Sequence, residues 1–214
     1  MEPRRFSAIH DHGHTQWGAV QIFGAAEHAT FRVQDDEIHT LARWTVNSGD
    51  IIGVSHSLTH QMGNPGSERF LSLHVYGGLE AHDFITGDAR VYDLENNQIQ
   101  RTNGGVFFAL PEDAVLSVES GPTADFPTRL RHLIELSNRL LMMSEEERLE
   151  SGKDLQETLV KTLDLSQQVE LKEYLESITD EHNHQVDSPQ WKILNIEMKA
   201  VAKLKETLEK RRKS

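Results

Sequence analysis

The chain has 214 residues, a formal net charge of −12 and no cysteine. These figures exclude a broad nucleic-acid-binding face, disulfides, thiolate metal ligands and a cysteine nucleophile. At 37% hydrophobic and 26% charged, with no run of 18 apolar residues and no apolar stretch near the start, the sequence is expected to be soluble and cytoplasmic, without a membrane span or signal peptide.

Taken in order, short apolar runs alternate with Gly, Asn, Asp and Pro up to about Gly121. They predict strands over 18–24, 29–34, 39–46, 50–54, 70–76, 89–94, 98–102, 106–109 and 114–118. Many short strands separated by turn signals indicate a sandwich, jelly roll or barrel over residues 1–120. Beyond Gly121 the period becomes helical. Leu130, Leu133, Ile134, Leu136, Leu140 and Leu141 recur on one face of a first helix. Ser144 before three glutamates starts a short helix that Gly152 stops, and a further helix fits 154–180. Ser188 and Pro189 then supply an N-cap and a first-turn proline for a last helix striped by Trp191, Leu194, Met198, Val201, Leu204 and Leu208. The helical region is 121–214, and its stripes read as core or as a seam for oligomer or partner docking. The basic end, Lys210 to Ser214, suits a helix C-terminus rather than nucleic acid.

Chemistry concentrates near the start, where AIHDHGHTQWG carries His10, His12 and His14. In a strand, residues i and i+2 face the same side, so an H-x-H pair offers two cis imidazoles to one metal ion. Downstream, GDIIGVSHSLTHQMGN places Gly49, His60 and Asn64 at the spacing of the second cupin motif, with Ser55 and Ser57 where that motif has Pro and Gly. In the register of the first cupin motif, His10 and His12 are the pair, the usual acid falls on Trp17 and the Gly on Gly24. The ligand set is then His10, His12 and His60, with His14 a neighbour.

A three-His site without its carboxylate resembles those of cysteine dioxygenase and related thiol dioxygenases. FLSLHVYGG strengthens the likeness, because Ser72, His74 and Tyr76 alternate as that family's Ser, His and Tyr do beside the metal. The IHDH, WG, LHVYGG and ARVYDLE pieces look most like the bacterial branch that includes 3-mercaptopropionate dioxygenase-like proteins. The resemblance spans about residues 7–94. It implies a cupin double-stranded β-helix and an Fe(II) cofactor, other divalent metals also fitting His ligands. The implied substrates are a small thiol and dioxygen, the product a sulfinate. Tyr76 would donate to substrate or iron-bound oxygen, with His74 orienting Tyr76 and Ser72 orienting His74.

Three departures qualify these expectations. The family's segment before H-x-H, with an arginine for the substrate carboxylate, has no counterpart in the nine residues present. Either the start lies further upstream, or the substrate is not the usual thiol carboxylate. Arg4, Arg5, Arg32, Arg43 and Arg69 are candidate substitutes. Trp17 replaces the cysteine that cross-links to tyrosine in animal cysteine dioxygenases; its bulky indole would either narrow the pocket or fill core, and core packing is the favoured reading. Residues after Gly121 fall outside the resemblance.

His28, His39, His56 and His82 read as solvated or locally hydrogen-bonded, His182 and His184 as a polar loop, and Asn64 as shaping a turn. The alternative to an enzyme is a non-catalytic metal- or ligand-binding module acting in sensing or assembly, or a cupin oxygenase with a non-thiol substrate.

Overall fold

The computed structural model describes residues 1–80, 82, 84–106, 110–144, 147, 154–167, 169–178 and 188–213. It divides into two compact units, Met1–Ala124 and Asp125–Ser214. The first is β-rich. Its strands are β1 (Ile9–His10), β2 (Trp17–Phe23), β3 (Ala26–Gln34), β4 (Glu37–Val46), β5 (Ile51–Val54) and β6 (Thr59–Gly63). Then come β7 (Leu71–Gly77), β8 (Ala89–Asp93), β9 (Gln98–Thr102), β10 (Val115–Ser120) and β11 (Thr123–Ala124). They form an eight-stranded mixed sheet, ordered β10-β9-β8-β1-β6-β3-β4-β11, and a three-stranded sheet, β5-β2-β7.

Alternation decides what each sheet buries. In the small sheet, Val20 pairs with His74 and Ile52, and Ile22 with Ser72, so these side chains share one face. Val20, Ile22, Ile52 and Val54 pack with Ala26, Val46 and Met62 of the large sheet and with Phe70. One apolar core therefore joins the two sheets. Full burial of a side chain such as Val20 or Ile22 contributes about 1.5–3 kcal/mol. On β3 and β4, Ala29, Phe31 and Ile38 join Ile9 and Tyr92 in a second cluster.

Most expected strands appear within a few residues of their predicted ends, but three were not predicted. β1 is two residues long, β11 likewise, and β6 is buried along its whole length, so it shows no polar–apolar alternation. The expected strand at 106–109 falls, but for Val106, outside the described residues.

The second unit holds α1 (Phe126–Met142), α2 (Leu155–Leu165), α3 (Val169–Ile178) and α4 (Pro189–Lys213). The Asp125 side chain caps α1, accepting from the Thr128 amide at 3.0 Å. Ser188 Oγ likewise accepts from the Trp191 amide at the start of α4. Phe126, Leu130 and Ile134 pack against Leu165, Leu194 and Val201. The single helix expected over 154–180 is two helices, because the chain turns at Ser166 and Gln167, where the Ser166 hydroxyl donates to the Leu163 carbonyl. But for Glu147, whose amide donates to the Ser144 hydroxyl at 3.2 Å, the helix expected after Ser144 lies outside the described residues, as does the pair His182 and His184. No described helix is long and apolar enough to cross a membrane.

Candidate metal centre

β1 and β6 pair directly, with His10 opposite His60. His12 follows β1 in non-strand backbone, two residues on, and returns to the same side. A backbone turn and a buried carboxylate hold that arrangement. Gly13 adopts φ +52°, and a Cβ there would stand 1.9 Å from the Gly87 carbonyl oxygen, so no larger residue fits the turn between His12 and His14. Asp11 is buried and accepts from the Arg90 Nε at 2.5 Å, the Arg90 amide at 2.8 Å and the Gly13 amide at 3.3 Å.

The result is three converging imidazoles. The His60 Nε2 lies 3.1 Å from His12 Nε2 and 3.2 Å from His10 Nε2, and all three side chains are at most 5% exposed. Nitrogens bound at about 2.1 Å to one ion lie about 3.0 Å apart when cis, or about 3.4 Å in a tetrahedron. His10, His12 and His60 are positioned to hold a metal ion. The tautomers agree: the His10 Nδ1–H donates to the Ala8 carbonyl at 2.9 Å, which leaves the Nε2 lone pair for the ion.

Burial keeps the rings neutral. It moves His10 from 6.5 to about 4 and His12 to about 3. His60 is pushed well below 6.5, first by burial and then by its His10 and His12 neighbours. Neutral imidazoles are what a metal requires.

Beside the triad stands β7. Ser72 Oγ lies 2.9 Å from His74 Nε2, and His74 Nδ1 lies 2.9 Å from the Tyr76 hydroxyl. The Tyr76 ring is 5.4 Å from that of His12, centroid to centroid. Burial raises the Tyr76 phenol to about 12 and lowers His74. Gly18, opposite Tyr76, makes room for it: a Cβ on Gly18 would sit 2.6 Å from Tyr76 Cδ1.

Other expectations change. Trp17 is not core: it is 56% exposed on the outward face of β2, its indole lying over Gly77. The reason is parity, since Gly18 and Val20 take the inward positions. His28 is not solvated: it is 1% exposed and its Nε2 lies 2.6 Å from His60 Nδ1. The predicted strand began one residue after it, so its inward position went unread. Asp11 and Arg90 were also missed, being far apart in sequence.

His14 stacks on His82 at 3.9 Å, outside the triad. His39 lies 3.3 Å from Glu37, and His56 is exposed. The Asn64 amide donates to the Met1 and Glu68 carbonyls while its oxygen accepts from the Gly66 amide. Of the arginines, Arg43 pairs with Glu27 at 2.9 Å and Arg69 with Glu2 at 2.6 Å; Arg32 is exposed, the Arg4 amide donates to the Asn64 carbonyl and the Arg5 amide to the Glu2 carbonyl. No protein-family model matches the chain.

Proposed function

We propose that the β-rich unit is a cupin-type double-stranded β-helix and that it works as a non-haem Fe(II) dioxygenase of thiol-dioxygenase type. The observation that carries this reading is one juxtaposition. A three-imidazole cluster with no carboxylate among its three donors lies against a Ser72–His74–Tyr76 hydrogen-bond chain. Two sheets over a shared core, with ligands on the paired strands β1 and β6, support the fold.

His10, His12 and His60 would hold the ion through Nε2. Being neutral, they leave its charge uncompensated, which favours an anionic ligand such as a thiolate. When bound, ferrous iron supplies the redox-active centre at which a thiol and dioxygen combine, RSH + O2 giving RSO2H. The protein's part is positioning. With the Ser72 hydroxyl donating to His74 Nε2, the His74 Nδ1–H donates to the Tyr76 oxygen. The Tyr76 proton is then free to donate to a substrate in the metal cavity. A phenol raised to about 12 keeps that proton throughout the physiological range.

A second reading, a metal-binding module without turnover, draws on Arg43 and Arg69, whose guanidinium groups already face Glu27 and Glu2 rather than a substrate carboxylate. Dioxygen uptake by anaerobically Fe(II)-loaded protein, against cysteine, 3-mercaptopropionate and other small thiols, separates the two. Uptake that requires both a thiol and His60, lost in His60→Ala, is expected. One iron bound per chain with no thiol-dependent uptake would overturn the dioxygenase reading.

A further inference from the structure

His60 has two ring nitrogens and two tasks. Nε2 points at His10 and His12, while Nδ1 meets His28 Nε2 at 2.6 Å. The contact follows from register, since β3 pairs with β6 so that Thr30 lies opposite His60 and His28 opposite Met62, all on one face. The two rings meet at 4.9 Å and 74°, and Trp44 stands edge-on to the other side of His28 at 4.6 Å and 90°. His28 also lines a cleft of about 460 Å³ with Trp44, Val46, Ile52 and Leu58.

Proton accounting makes this contact directional. A neutral imidazole carries one ring proton. If His60 binds an ion through Nε2, its proton must be on Nδ1, and His28 Nε2 must accept it. The proton of His28 is then on its own Nδ1, a buried atom that has no hydrogen-bond partner among the described residues. His10 differs, because its Nδ1 faces a backbone carbonyl, which can only accept. Behind His60 stands a group able to accept or to donate, so without a metal the pair can run in either direction.

We propose that His28 is a positioning residue for the metal: it orients the His60 ring and accepts its Nδ1 proton, and metal occupancy selects the Nδ1–H tautomer of His28. This rests on the metal-site part of the functional reading and not on thiol oxidation. Backing groups of this kind typically change metal affinity by about 10–100-fold. Removing the acceptor should act on affinity, and restoring an acceptor of another chemistry should rescue it.

The test uses the full chain and metal alone. Co(II) affinity and the d–d spectrum are measured for wild type, His28→Leu and His28→Gln, whose side-chain carbonyl can take the same proton. Long-range ¹H–¹⁵N spectra of Zn(II)-loaded wild type read the His28 tautomer without any substitution. The expected results are a loss of about 10–100-fold in His28→Leu, substantial recovery in His28→Gln, and Nδ1–H on His28 in the Zn(II) form. Wild-type affinity and spectrum in His28→Leu, or an Nε2–H tautomer with zinc bound, would overturn the proposal while leaving the triad intact. Wild type that binds no metal would overturn the triad and this proposal together. Failure of thiol turnover touches neither.

Discussion

Acidifying the metal-free protein isolates the cost of burying these histidines. In the unfolded chain His10 titrates near 6.5; in the folded chain burial holds it near 4. Protons therefore bind preferentially to the unfolded state below 6.5, and stability present at neutral pH is lost as pH falls from 6.5 towards 4. The full shift corresponds to about 3 kcal/mol, of which about 2 kcal/mol is already lost at pH 5. His12 has the same sign and reaches about 3, but the two rings interact, so their losses do not simply add. Against a typical domain stability of about 5–15 kcal/mol, such a loss is large. Urea unfolding of chelator-treated protein at pH 7.5, 6 and 5 measures it. A Trp191→Phe background leaves Trp17 and Trp44, both in the sheet unit, as the fluorescence probes. In His10→Gln the slope between pH 6.5 and 5 should be shallower. Stability that stays flat from pH 7.5 to 5, or an unchanged slope in His10→Gln, would refute the reasoning.

Two other substitutions probe the supports of the site. Asp11→Asn removes the charge that receives Arg90 and two backbone amides; a loss of about 1–3 kcal/mol is expected by thermal unfolding, with weaker Co(II) binding in titration. Gly18→Ala puts a methyl group 2.6 Å from Tyr76 Cδ1 and 2.8 Å from the Val75 carbonyl oxygen, so β7 and its phenol must shift: metal stoichiometry by elemental analysis should be unchanged while thiol-dependent oxygen uptake falls several-fold.

What the sequence revealed depended on whether period and burial coincided. β9 was read to the residue, and β2, β5 and β8 to within one, because each has marked ends or alternates. β6 carries a ligand yet shows no alternation, since both its faces are buried. The triad itself was legible because motif spacing needs no strand assignment. Trp17 was misread because core packing was inferred from bulk, whereas strand parity sends the indole outward and leaves Gly18 facing Tyr76. His28 and the Asp11–Arg90 pair depend on strand order, β8-β1-β6-β3, and a single sequence does not print strand order.

That order gives the triad a mechanical meaning as well as a chemical one. β1 is only two residues long, and its partner His60 lies 50 residues away along the chain. An ion shared by His10, His12 and His60 would be a clasp, fastening a short N-terminal strand to the middle of its sheet and closing a long loop. Cysteine, the usual residue for such a fastening, is absent from this chain. A metal clasp differs from a disulfide in being reversible without redox chemistry: a chelator opens it, and returning the ion restores the same topology.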